Sequence, residues 1–244
     1  LSASTVGAMT LTARLRGLAD DSDPGSLSHR MRARRFELFD RLVGTLPRPL
    51  RLIDIGGTNE FWEQRGWAGR DDVSVTLVNL MEQPRLHDNI HPFKGTATDL
   101  SDHADGAFDV AFSNSVIEHL FTYEAQAQMA AEVGRVARRH WVQTPNYWFP
   151  IEPHFLVPGW QWLPEDARVA IIRRHTCGWR GPCPDLDEAR ATVREVRLLR
   201  ASELRRMFPG SELHAERIGP WVKSWTVTAG FDAPVPVAQM GVAA

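Results

Sequence analysis

Leu50-Arg51-Leu52-Ile53-Asp54-Ile55-Gly56-Gly57-Thr58-Asn59 is a short run of strand formers closed by two glycines. The stretch after it, Glu60 to Trp67, has helical composition and ends near Gly66 or Gly69. A strand, a glycine turn and a helix make one half of a β-α-β unit. The same cycle recurs downstream. Val73 to Val78 is β-rich and ends at Asn79, and Phe108 to Phe112 is a further strand leading through Ser113-Asn114-Ser115 into a helix reaching Leu120. Tyr123 to Ala137 is helical, and His140 to Thr144 is a strand stopped by Pro145. Upstream, Met31, Phe36, Phe39, Leu42 and Val43 recur at threes and fours from Ser28 until Pro47. Strands alternating with helices imply a parallel sheet covered on both faces. The tail breaks the rule. Ala201 to Met207 is a short helix with Ser202 as its cap, and Glu212 to Ile218 and Val222 to Phe231 are joined only by Gly219-Pro220. So tight a connection permits an antiparallel pair alone.

The 244 residues lie between one large domain and two small ones, and an apolar fraction of 43% supports a sizeable core. The formal charge of −2 argues against binding nucleic acid by bulk positive charge. No apolar run approaches the roughly 18 residues of a membrane span, and Leu1 to Thr10 lacks the layout of a signal peptide. Two cysteines, Cys177 and Cys183, are no disulfide framework and suit a reducing, cytoplasmic setting. Of the 28 basic residues only Lys94 and Lys223 are lysine. The expected organisation is a flexible segment over 1–27 and a single domain over 28–232, followed by a tail over 233–244. Within the domain, 28–47 is an N-terminal helix and 145–187 a lid.

Glycines at the end of a first strand let a ligand approach backbone closely, and the helix that follows offers unpaired N–H groups. A tight turn with no ligand is the equal alternative on the hexapeptide alone. A dinucleotide site wants G-x-G-x-x-G, which these residues do not supply.

The order of motifs over residues 50–145 resembles the class I S-adenosylmethionine-dependent methyltransferases, and within them the broad type-11 family. The residues that carry the likeness are Leu52 to Gly57, Val75 to Asn79, Gly95-Thr96-Ala97-Thr98-Asp99-Leu100, and, most specific, Phe108 to Leu120. The resemblance implies a Rossmann-like α/β fold: a mostly parallel seven-stranded sheet with an antiparallel C-terminal hairpin and helices on both faces. It also implies S-adenosylmethionine as cofactor. Gly56, Gly57 and Thr58 would pass the methionine end, and Asp54 would orient that loop and favour the ligand's positive charges. Asn79 would meet the ribose where the family usually has an acid. Thr96, Ala97 and Asp99 would border the adenine, with Ser113 and Asn114 beside the sulfonium. Thr58 and Glu60 stand where the family's pattern has glycines.

Methyl transfer to a hydroxyl needs a base. Glu118 and His119 leave the Phe108–Phe112 strand, and Glu152 and His154 follow Thr144-Pro145-Asn146, so all four are catalytic candidates, with His154 first and His119 second. Two histidines and carboxylates at strand ends also suit a divalent metal. The cluster resembles part of the metal site of small-RNA 2′-O-methyltransferases, with Ser115 replacing one Glu. That likeness implies Glu118, His119 and His154 as ligands to Mg²⁺.

Residues 141–162 concentrate Trp141, Tyr147, Trp148, Phe149, Phe155, Trp160 and Trp162. Trp141 reads as strand packing; the others suggest a lid stacking on an acceptor ring or sugar face. No arginine occurs from His140 to Asp166 to meet phosphates, so a small metabolite, saccharide or lipid acceptor fits better than a polynucleotide. Cys177 and Cys183 read as small buried fillers, and Gly178 to Asp187 as a mobile cover. The expected function is an S-adenosylmethionine-dependent methyltransferase, O-directed. The alternatives are a catalytically inactive binder of the same cofactor and a nicotinamide-dependent oxidoreductase.

Overall fold

The computed structural model describes residues 25–231 and the backbone of Gly241–Val242. The flexible segment expected over 1–27 lies outside the described residues as far as position 24, and so does all of the 233–244 tail except Gly241–Val242. The chain divides into two compact units, residues 25–38 with Pro150–Val193, and Phe39–Phe149 with the residues from Arg194 onward.

In chain order the elements are α1 (Leu27–Val43), β1 (Leu50–Ile55), α2 (Asn59–Gln64), β2 (Val73–Asn79), β3 (Ile90–Lys94), β4 (Val110–Asn114), a 3-10 turn at Ile117–His119, α3 (Tyr123–Val136) and β5 (His140–Pro145). There follow α4 (Glu165–Ile172), α5 (Leu186–Arg194), α6 (Ala201–Met207), β6 (Glu212–Ile218), β7 (Trp221–Ala229) and β8 (Gly241–Val242). All eight strands form one sheet in the second unit, ordered β3-β2-β1-β4-β5-β7-β6-β8. The first five run parallel, and β7 is antiparallel to both β5 and β6. Two-residue β8 lies parallel to the end of β6.

Alternate side chains of the central strands serve two layers. On one face Ile53, Ile55, Ala111, Val142 and Val227 pack with Met129, Ala130, Val133 and Val136 of α3 and with Leu204 and Phe208 of the α6 end. On the other, Phe39 from the last turn of α1 meets Trp62, Trp67, Phe112 and Trp141 edge-on or tilted, with ring centres 4.8–6.4 Å apart. Aromatic side chains bury the largest areas per residue, so this layer fixes α2 to the sheet.

Four local expectations are corrected. Ile90–Lys94 is a strand that the pattern concealed, because Pro92 interrupts it. Proline is tolerated there because β3 is an edge strand. The helix expected through Leu120 is only a 3-10 turn, since Ser115 adopts φ +58 and breaks the helical path. Ser202 is not the cap of α6. Arg200 occupies that position, and its N–H donates to Glu203 Oε2 at 2.8 Å. In the first unit Phe155 and Trp160 are buried and stacked on each other at 4.4 Å, not presented to a ligand. Cys177 and Cys183 are free and buried, as the fillers expected. Gly178 has φ +55, and a Cβ there would lie 2.6 Å from His154 O, so this glycine is packed against the 154–155 backbone.

His140, at the start of β5, lies over the Phe208 ring and shares a 3.0 Å hydrogen bond with Ser211 Oγ. Burial pushes its pKa down from 6.5 to about 4. The neutral ring is favoured in the folded chain, so its contribution is complete above pH 6.5 and is lost as pH falls towards 4. At pH 4.5, His140→Gln is expected to lose less of its pH 7.5 melting temperature than the wild type does.

Candidate functional site

Strand order reverses between β1 and β4, and in open α/β sheets the crevice at such a point, outside the carboxyl ends of the strands, is where ligands bind. The loop leaving β1 is built on two glycines for separate reasons. Gly56 has φ +86, and a Cβ there would lie 2.4 Å from Val116 Cγ2. At Gly57 a Cβ would lie 1.7 Å from Asp54 Oδ2, so the carboxylate fills the space a side chain would take. Asp54 is only 2% exposed and faces the aromatic layer, where Oδ2 accepts 2.7 Å from Trp62 Nε1. Burial raises its pKa from 3.8 to about 7, against the opposing pull of the indole N–H.

Thr58 caps α2, its hydroxyl accepting from Phe61 N at 3.4 Å. Asn79 ends β2 and is used at both ends of its amide: Nδ2 donates to Gly57 O at 3.1 Å and Oδ1 accepts from Met81 N at 3.1 Å. At the end of β3, Thr96 Oγ1 and Thr98 Oγ1 share a hydrogen bond, and Asp99 Oδ1 accepts from Ser101 N at 3.0 Å. Hydrogen bonds from Ser101 hold the exposed Asp99 carboxyl below its usual range. Ala97 packs partly buried against the hydrophobic core. The Ser113 hydroxyl donates to Ile55 O at 3.1 Å, tying β4 to the end of β1 and facing inward. Asn114 is half-buried at the end of β4. The cofactor candidates therefore lie on the carboxyl ends of β1 to β4 and the loops that leave them, except Asp54 and Ser113, which support the edge from inside.

The exit of β4 is fastened to β5. Ser115 donates its hydroxyl to Gln143 Oε1 at 2.8 Å, and Thr144 Oγ1 donates to Glu118 Oε2 at 3.0 Å. Glu118 is fully buried on the 3-10 turn, and its carbonyl accepts from Arg197 N at 2.8 Å. His119 is half-buried beside it. The sequence assigns no site role to Trp62, Gln143 or Thr144; Thr144 stands only as the start of the segment leading to Glu152, and Trp62 as the large ring in the α2 stretch eight residues beyond Asp54.

In the other unit Glu152 is a positioning residue. Its Oε2 accepts from the main-chain N–H of His154 and Phe155, at 2.8 and 2.7 Å, and its Oε1 lies 2.5 Å from His154 Nδ1. A carboxylate on Nδ1 fixes the tautomer with that nitrogen protonated and the lone pair on Nε2, the form suited to accept a proton. Of the three residues suggested as metal ligands, Glu118 and His119 belong to the sheet unit and His154 to the other.

No protein-family model and no curated protein sequence matches the chain. Solved structures do. A SAM-dependent methyltransferase from Aquifex aeolicus aligns over 90% of this chain and 98% of its own, at 12% identity and TM-score 0.47. A Rhodobacter sphaeroides protein named for zinc-dependent alcohol dehydrogenases aligns over 89% and 96%, at 13% identity and TM-score 0.52. A methyltransferase from an antibiotic biosynthesis pathway of Anabaena variabilis aligns over 58% of this chain at 18% identity and TM-score 0.40; the match spans 61% of that protein, less than two thirds of its length. Seven of the eight described strands follow the order β3-β2-β1-β4-β5-β7-β6, with β7 reversed.

The fold is Rossmann-like and of the class I methyltransferase type.

Within this methyltransferase fold the loop after β1 and the ends of β2 to β4 lie along one edge of the sheet, and no helix among the described residues is long and apolar enough to cross a membrane.

Proposed function

We propose that the chain is an S-adenosylmethionine-dependent methyltransferase, directed to a hydroxyl of a small sugar-, lipid- or metabolite-type acceptor and working in the cytoplasm. The observation that carries the cofactor assignment is Asp54: a buried carboxyl beneath Gly57, its pKa raised to about 7. Such a group gains most when a cation arrives nearby, and a ligand bearing an ammonium and a sulfonium supplies two. Gly56, Gly57, Thr58 and Asn79 would hold the methionine and ribose parts, Thr96, Ala97 and Asp99 would border the base, and Asn114 would line the sulfonium end, with Ser113 supporting it from inside the sheet. Bound there, S-adenosylmethionine supplies an activated methyl carbon, which leaves the protein mainly alignment and exclusion of water. Glu118, held by Thr144, sets the orientation of the turn that carries His119. His119, and His154 braced by Glu152, are the proposed proton acceptors.

Calorimetry with S-adenosylhomocysteine against NAD tests the cofactor: binding of the first and none of the second is expected, and the reverse would overturn the proposal. For the base, His154→Ala is expected to lower turnover at least tenfold while S-adenosylhomocysteine binds as before. Turnover at the wild-type rate removes His154 from the mechanism. One observation favours a second reading, binding without catalysis. The Asn79 amide is neutral and already spent on Gly57 and Met81, so its grip on a ribose lacks the charge-assisted strength of a carboxylate. Binding without turnover across a library of hydroxyl acceptors would select it.

A further inference from the structure

We propose that Arg200, Tyr147 and Trp148 form a ledge that binds an anionic group (carboxylate, phosphate or sulfate) carried next to a ring on the acceptor, a refinement that rests on the methyl-transfer reading. The stretch after β5 holds no arginine of its own, yet the fold brings one to it. The Arg200 guanidinium carbon lies 4.4 Å from the centre of the Tyr147 ring and 5.5 Å from that of Trp148. The two rings meet edge to face at 4.9 Å and 89°. Trp148 is 55% exposed, and Arg200 is exposed as well.

The Arg200 guanidinium is not held in an ion pair, although its charge reaches Glu203. Among the described residues no carboxylate lies within ion-pair distance of its guanidinium. The nearby Glu203 is committed to Arg197 Nη2 at 2.5 Å and to the main-chain N–H of Arg200. A guanidinium stacked on aromatic faces keeps its planar edge of N–H donors, the geometry that grips an oxyanion through two parallel hydrogen bonds.

The ledge is also rigid before anything binds. Buried Asn146 donates from Nδ2 to Val222 O at 2.8 Å and from its main chain to Lys223 O at 2.9 Å, and its Oδ1 accepts from Trp148 N at 3.3 Å. Tyr147 N donates to Leu199 O, next to Arg200, and Phe149 N to Asn146 O, both at 3.0 Å. Every main-chain N–H from 146 to 149 thus has a partner, so the exposed Trp148 ring and the half-buried Tyr147 ring are held without the ordering cost a free loop would incur on binding. Thr144, three residues before Tyr147, holds Glu118, which places the ledge on the carboxyl edge of the sheet. One arginine beside two rings suits a single anionic group on a small ring-bearing molecule, in place of the row of phosphates that a polynucleotide presents.

The test follows the Trp148 indole N–H by nuclear magnetic resonance, identified by its loss in Trp148→Phe. Titration with benzoate and with phenyl phosphate is expected to shift it with dissociation constants at least tenfold below that of neutral benzamide. Inorganic phosphate, lacking the ring, is expected to bind several-fold more weakly than phenyl phosphate. Arg200→Gln is expected to weaken both ring-bearing anions at least tenfold, with Arg200→Lys in between, while the melting temperature and S-adenosylhomocysteine affinity stay at wild-type values. Benzamide binding as well as benzoate, phosphate binding as well as phenyl phosphate, or wild-type anion affinity in Arg200→Gln would each overturn the ledge. A chain that binds S-adenosylhomocysteine but no anion loses the ledge and keeps the methyl-transfer reading. One that binds the anions at Arg200 but not S-adenosylhomocysteine keeps the ledge and loses that reading.

Discussion

Gly57→Ala is expected to destabilise the protein by about 3 kcal/mol, the upper range of overpacking costs, and to abolish detectable S-adenosylhomocysteine binding. The added methyl would overlap the Asp54 carboxylate at 1.7 Å, and that carboxylate is itself fixed by the Trp62 indole. Neither neighbour is the loose end of a flexible chain, so relief must come from moving the loop or α2. For a chain of this size the melting temperature should fall by roughly 10 °C. Gly66→Ala is the internal control. Gly66 has φ +70 but nothing within 4 Å of a new Cβ, so only the left-handed backbone cost of about 1–2 kcal/mol applies. Scanning calorimetry on the two variants compares contact with conformation, and equal losses would refute the packing account of Gly57.

Asp54→Asn is expected to separate stability from ligand binding. The folded pKa of about 7 lies above the ordinary 3.8, so the neutral acid is the form the fold favours. Stability from that preference is present below pH 3.8 and is lost as pH rises through 7, by up to roughly 4 kcal/mol. Asparagine is neutral throughout and can still accept from Trp62 Nε1. At pH 4 the variant should melt with the wild type, and at pH 8 it should melt several degrees higher. Its affinity for S-adenosylhomocysteine at pH 8 should nevertheless fall at least tenfold, because the carboxylate that would answer the ligand's positive charge is gone. His140 tilts the wild-type curve the other way between pH 4 and 6.5 by a comparable amount. The difference between the variant and wild-type curves is therefore the quantity to read, and a difference independent of pH would remove Asp54 as a buried titrating group.

The parallel body of the sheet was legible because its strands are apolar runs stopped by turn residues. Leu50–Ile55 and Val73–Asn79 fall where the pattern puts them. Ile90–Lys94 was hidden by Pro92, which local rules count against a strand. The site was half legible. The motif order named the strand ends, but it could not tell outward residues from inward ones. Ser113 has the right position and donates its hydroxyl inward to Ile55 O; Asp54 is spent on Trp62. Glu152 reads in the sequence as a proton-transfer candidate, yet it also pins the backbone that presents His154, a role set by a turn of three residues that composition does not reveal. The ring-rich stretch misled most. Phe155 and Trp160 are as hydrophobic as Trp148, and nothing in the letters says that the first two stack inside while the third faces solvent. Arg200 left no signal, because its meeting with Tyr147 depends on the pairing of Asn146 with Leu199.

Pro92 has a further effect at the rim of the molecule. Gly95 donates to Asn79 O, and Asn89 O accepts from Val75 N, so the odd-numbered residues of the 89–95 stretch turn their main-chain groups towards β2 and the even-numbered ones turn away. The missing N–H of Pro92 is thus missing from the outward side alone. A foreign strand that tried to zip onto this border would find a gap halfway along, which is one way natural sheets resist growing into aggregates.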